Sequence, residues 1–211
     1  MDPHFDLRRE SLAKVGKSTC YIAVKLPDGN VATGTAFFVS ESKLLTAGHM
    51  RYGADNEIVA QYPGAHIANL NAKELFEDDP PVSTFKCRVL DYRRPAADIM
   101  LLDCSASGYR ASCWVDLMPS SLCPDTPVDL VGYPGLYEHQ YLMDTQGRTA
   151  RTAEALDEIS DLLPRCHLII SHGPVIGMDL SGNHASYRLS TIGGMSGSAV
   201  VRDEKAVGNH F

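Results

Sequence analysis

The stretch of this 211-residue chain with the clearest chemical promise is a serine set among glycines, Gly193-Gly194-Met195-Ser196-Gly197-Ser198, followed by the apolar Ala199-Val200-Val201. Glycines on both sides let the backbone take a tight path that exposes the hydroxyl. The same path can aim the N–H groups of Gly194 and Ser196 at one point, as an oxyanion hole requires. A neutral hydroxyl is a poor nucleophile, so it needs a base, and the base needs a carboxylate to hold its tautomer. Two other stretches offer them. Leu44-Leu45-Thr46-Ala47-Gly48-His49 ends a strand-like run in small residues and sets a histidine at the turn. Ala97-Asp98-Ile99-Met100-Leu101-Leu102 sets a carboxylate at the mouth of an apolar run. Each pattern alone has an ordinary explanation: a Gly/Ser turn, a packing histidine, a strand-start aspartate. Together, in the order His49, Asp98, Ser196, they supply base, orienter and nucleophile for acyl transfer. Asp91 and Asp103 are alternative carboxylates that rank behind Asp98, since neither precedes an apolar run.

The other reactive side chains read as structural. His66, His139, His167, His172 and His184 show no i, i+4 pairing with an intervening glutamate, so no zincin-type metal motif exists. Cys20, Cys87, Cys104, Cys113, Cys123 and Cys166 contain no Cys-x-x-Cys pair, which argues against a zinc site. Neither a metal nor a cofactor is expected. The N-terminus MDPHFDLRRESLAKV has no apolar run after its charges, so it does not read as a secretory signal. Reduced thiols packed as small hydrophobes and a cytoplasmic location are therefore expected.

The elements that must position these groups are mostly strands. Short β-like runs (Tyr21 to Lys25, Thr33 to Val39, Lys43 to Thr46, Ile58 to Gln61, Phe85 to Leu90, Ile99 to Asp103) alternate with turn residues such as Pro27-Asp28-Gly29-Asn30. A second series follows at Val128 to Val131, Leu168 to Ser171, Ser186 to Leu189, Ala199 to Arg202 and Ala206 to Val207. Two segments read as helical, Asn71 to Glu77 and Ala153 to Leu163, the latter with Leu156, Ile159 and Leu163 on one face. The Ser-, Cys- and Pro-rich stretch from 105 to 127 reads as a connection between two β units.

Composition bounds the rest. The chain is 44% hydrophobic and 21% charged, as globular proteins are. Its net charge of -7 and its lack of any long Lys/Arg run exclude nucleic acid as an expected partner. No apolar stretch approaches the ~20 residues of a membrane span.

With these motifs in place, the chain resembles the trypsin-like, chymotrypsin-fold serine peptidases, matching their Thr-Ala-x-His, Asp-Ile-x-Leu-Leu and Gly-x-Ser-Gly patterns over roughly Cys20 to His210. The order His, Asp, Ser is theirs; subtilisin-like and α/β-hydrolase enzymes use others. The resemblance implies an all-β fold of two six-stranded Greek-key barrels and a serine endopeptidase acting on protein or peptide through an acyl-enzyme. It makes Ser196 the nucleophile, His49 the base, Asp98 its orienter, and the amides of Gly194 and Ser196 the oxyanion donors. The expected layout is an N-terminal extension at 1–18, a first barrel at 19–105, a connection at 106–127 and a second barrel at 128–211.

Departures from the secreted digestive branch narrow this further. Met50 follows His49 where that branch has a cysteine, and Met195 stands where it has an aspartate that pairs with a new N-terminal amine. Activation is therefore expected not to use that ion pair. Val131-Gly132-Tyr133-Pro134-Gly135, Gly194-Met195-Ser196-Gly197-Ser198 and Val207-Gly208-Asn209-His210 resemble the bacterial glutamyl-endopeptidase branch. That resemblance places Thr191 and His210, with Ser190 at the base, in the pocket for the residue before the cleaved bond. It implies cleavage after Glu or Gln. The sequence stops at Phe211, short of the segment that usually completes the second barrel in that family, so two alternatives stand: a fragment of a longer parent chain with further domains and an incomplete barrel, or a barrel completed differently. The alternative reading is an inactive trypsin-like module used for binding or regulation. An esterase on the Gly-x-Ser-x-Gly strand-turn-helix plan is disfavoured, because β-branched residues follow Ser196.

Overall fold

The computed structural model describes residues 3–52, 57–63, 76, 84–93, 97–119, 122–134, 168–179, 184–188 and 194–211. Six strands form a closed antiparallel barrel: β1 (Thr19–Lys25), β2 (Val31–Phe38), β3 (Lys43–Ala47), β4 (Ile58–Gln61), β5 (Thr84–Arg93) and β6 (Ile99–Asp103), in the order β1-β2-β3-β6-β5-β4. The β1–β2 hairpin closes where sequence chemistry demands it. Gly29 takes φ +82°, Asn30 N–H donates to Asp28 Oδ1 at 2.9 Å, and the ladder resumes at Lys25 opposite Val31. Ile22, Phe38, Leu44, Met100 and Leu102 fill the interior with no more than 1% exposure. Each such side chain contributes about 1.5–3 kcal/mol by leaving water. Closure leaves this sheet without an edge.

The second unit is an open five-stranded sheet among the described residues: β7 (Pro127–Gly132), β8 (Ile169–Met178), β9 (Ala185–Tyr187), β10 (Ala199–Arg202) and β11 (Lys205–Asn209), in the order β11-β10-β7-β8-β9. A closed barrel plus this second half-barrel of described strands matches the expected two-barrel trypsin-like architecture. The units meet at a shared core of Phe37, Val131, Ala199, Val201 and Val115, into which a helix, α1 (Pro3–Lys17), inserts Val15.

That helix has no counterpart among the expected elements. Its apolar positions within the described side chains, Leu12 and Val15, make too narrow a stripe to declare a helix, and packing against both units supplies what periodicity does not. Its last turn is capped by Thr19 Oγ1 donating to the Val15 carbonyl at 2.8 Å. The expected helix at 153–163 lies outside the described residues, as does 71–77 except Phe76. No described helix is long and apolar enough to cross a membrane. Cys20, Cys87, Cys104, Cys113 and Cys123 are free thiols, and burial pushes Cys104 up to about 11 and Cys87 and Cys20 in the same direction. Such thiols pack as small hydrophobes. Cys166 lies outside the described residues.

Candidate active site

The register of the first barrel brings the histidine to the aspartate. β3 pairs with β6 so that Ala47 faces Ile99, and the chain leaves both strands at the same end. There Gly48–Met50 form a single 3-10 turn that raises His49. Gly48 N–H donates to the Asp98 carbonyl at 2.8 Å, and a Cβ at Gly48 would sit 3.1 Å from Asp98 Oδ1. Only a small residue permits that approach. Asp98 itself holds φ +43°, a left-handed conformation that Asp tolerates better than most residues. The outcome is His49 Nδ1 at 2.8 Å from Asp98 Oδ2, with side-chain exposures of 29% and 12%. The imidazole can donate through Nδ1 to the carboxylate and keep Nε2 as an acceptor. Asn209 Nδ2, from the end of β11, donates to the Asp98 carbonyl at 3.4 Å. The rival carboxylates are engaged elsewhere. Asp103 binds Arg88 and Ser105, whose hydroxyl bond holds it below the usual carboxylate range, and Asp91 binds Arg93 and the Tyr92 amide.

Ser196 is positioned by contacts of a different kind. Its turn runs through Gly194 at φ +88° and Gly197 at φ +87° and is pressed against the first barrel. A Cβ at Gly197 would meet Thr35 O at 2.1 Å, Thr46 Oγ1 at 2.3 Å and Ala47 N at 3.0 Å, so no other residue fits. The turn therefore abuts the strand that leads into His49. Thr35 N–H donates to Ser196 O at 2.8 Å, and Gly197 N–H donates to His210 O at 2.6 Å. Met195, fully buried, inserts among Val128, Leu130, Val175 and Val200. Among the described residues, neither Gly194 N–H nor Ser196 N–H donates to a protein acceptor. Nor does a hydrogen bond join the half-buried Ser196 hydroxyl to His49. In unliganded active sites such bonds are often long and tighten only around substrate.

Of the residues expected in the specificity pocket, Ser190 and Thr191 lie outside the described residues. His210 is half-buried past the end of β11, and its Nδ1 is hydrogen-bonded to the Tyr187 hydroxyl on β9. Burial first, and then the nearby charge of His49, hold the His210 imidazole below its usual range, while burial pushes Tyr187 up to about 12. Tyr187 and Thr35 are not legible near the site from sequence, since each stands in an ordinary strand pattern, while Asn209 enters there only as part of the Val207-Gly208-Asn209-His210 motif. His172 pairs with Asp129 at 2.9 Å on the surface of the second sheet, and His184 packs edge-on against Phe211. No cluster among the described residues is placed to hold a metal ion.

A family model described as a trypsin-like peptidase domain matches residues 34–208. No curated protein matches the chain. Solved structures do. The active form of the Rv3671c protease of M. tuberculosis superposes with a TM-score of 0.57 at 16% identity, over 97% of this chain and 74% of that one. Deg5 gives 0.60 at 13% identity, over 99% and 86%. The HtrA-type protease AlgW, solved with a tripeptide, gives 0.58 at 15% identity, over 95% of this chain and 52% of its own length.

Proposed function

This chain belongs to the trypsin-like peptidase domain family, and we propose that it is a serine endopeptidase working through His49, Asp98 and Ser196. In this reading His49 Nε2 takes the proton of the Ser196 hydroxyl as its oxygen attacks the scissile carbonyl carbon. Asp98, at 2.8 Å from Nδ1, holds the tautomer and stabilises the imidazolium. The amides of Gly194 and Ser196 receive the oxyanion, and collapse of the tetrahedral intermediate expels the amine with the proton from His49. Water then hydrolyses the acyl-enzyme by the same route in reverse. The observation that carries the reading is the His49–Asp98 pair beside a serine turn wedged against the strand before His49.

Two refinements belong to the proposal. A buried Met195 in an apolar cluster supports a nucleophile turn held by packing, with no ion pair to a new N-terminus. An uncharged His210 whose Nδ1 is occupied by Tyr187 leaves Nε2–H for a substrate carboxamide or carboxylate, with Thr191 and Ser190 as further hydroxyls. That supports cleavage after Gln or Glu.

A fluorophosphonate should label the wild-type chain at Ser196 and neither Ser196→Ala nor His49→Ala. Absence of labelling in the folded wild type would overturn the peptidase in favour of a binding module. A peptide library cleaved after basic residues would remove only the Glu/Gln preference.

A further inference from the structure

We infer that Thr35, in the first barrel, is a positioning residue that sets the oxyanion hole of the second unit; the inference rests on Ser196 being the nucleophile. Thr35 lies on β2 and is fully buried, yet its polar atoms are directed across the interface between the two units. Its Oγ1 accepts the Tyr133 N–H at 2.9 Å and shares its own proton between Gly194 O at 3.2 Å and Tyr133 O at 3.3 Å. Its backbone N–H donates to Ser196 O at 2.8 Å. One residue thus holds the carbonyls of both Gly194 and Ser196, one before and one after the peptide that carries the Ser196 N–H.

Those two contacts restrain the peptide planes on either side of the 195–196 plane, the one that carries the Ser196 N–H. The Met195 side chain, fully buried, anchors the residue between them. With both neighbours and the intervening side chain held, that N–H has little freedom to rotate away. An oxyanion donor must be in place before charge develops, so this restraint acts on the transition state more than on substrate binding. The carbonyl of Thr35 in turn accepts Thr46 Oγ1 at 2.7 Å, and Thr46 lies three residues before His49 on β3. The chain of contacts Thr46, Thr35, Ser196 ties the strand carrying the base to the turn carrying the nucleophile. There is no slack for a replacement contact: a Cβ at Gly132 would already meet Thr35 Oγ1 at 3.1 Å.

The test compares Thr35→Val, which keeps the shape and removes the hydroxyl, with Thr35→Ser, which restores it. For Thr35→Val, kcat should fall about 10- to 100-fold, less than outright loss of an oxyanion donor, with KM within about twofold. Amide hydrogen exchange at Gly197 and Ser198 should quicken. Thr35→Ser should recover most of kcat and the slow exchange. Unchanged kcat in folded Thr35→Val, or a Thr35→Ser as impaired as Thr35→Val, overturns the inference. If Thr35→Val does not fold, Thr46→Val, which removes only the donor to the Thr35 carbonyl, takes its place. It should show the same pattern at smaller size, and unchanged exchange and kcat in it overturn the inference. A wild type that takes no fluorophosphonate sinks the peptidase and leaves the clamp to be judged by exchange alone, where equal rates in wild type and Thr35→Val overturn it.

Discussion

In the closed barrel, His49 and Asp98 meet because two paired strands end together. Ala47 faces Ile99, and the residues that follow one strand and precede the other have nowhere else to go. In the open sheet, Ser196 occupies a turn that no ladder positions. It is held from outside, by Gly197 wedged against Thr35 and Thr46, by Met195 buried among β7, β8 and β10, and by the Thr35 amide. The first arrangement is a property of one sheet. The second is a property of the contact between two. The barrel half should therefore tolerate chemical change at its site without loss of structure, whereas the nucleophile half should couple activity to packing.

The sharpest test of that contrast is Asp98→Asn. Asparagine accepts the left-handed backbone that Asp98 adopts, so melting temperature should stay near wild type. The wrong imidazole tautomer should nevertheless lower kcat about 10⁴-fold. A large drop in thermal stability would break the view that barrel register alone places this pair. On the other side, Met195→Asp should couple the two properties. An uncompensated carboxylate in an apolar cluster costs about 3–5 kcal/mol, so denaturant unfolding should shift strongly and labelling of Ser196 should fall with it. A stable, fully active Met195→Asp would show that some cation reaches the position, and the packing account of activation would fail.

The smallest effect is the response of the second unit to pH. His210 has its folded value depressed by burial and by His49, so the unfolded chain takes the proton first as pH falls. Its contribution to stability is complete above the ordinary histidine range near ~6.5. It is lost as pH drops from there through the folded value. His210→Gln should flatten the melting-temperature profile across that window. An unaltered slope would mean that another group carries it.

Legibility in the sequence follows the same division. Ile58–Gln61, Ile99–Asp103 and Ala199–Arg202 have the limits that periodicity indicates, because each is a short apolar run between breakers. β5 and β8 run further than their composition suggests. β5 continues past Leu90 through a bulge between Val89 and Asp91. β8 continues through His172-Gly173-Pro174, a turn-like triplet that stays extended because Pro174 pairs with Pro127 at the end of β7, where no ladder donor is required. Helix α1 was hidden for the opposite reason: its stability comes from two surfaces far away in sequence.

By itself the sequence determined the order His49, Asp98, Ser196, the glycines that only a tight turn requires, and the hairpins that build a barrel. These are local matters, set by side-chain period and by backbone freedom at single residues. Only tertiary structure decided that Thr35 would face Gly194 and Ser196, that Tyr187 would cap His210, and that Met195 would be a buried anchor. Each joins residues on different strands or loops, and the Thr35 contacts join different units. Such meetings depend on how strands and sheets pack, which no spacing within one segment records.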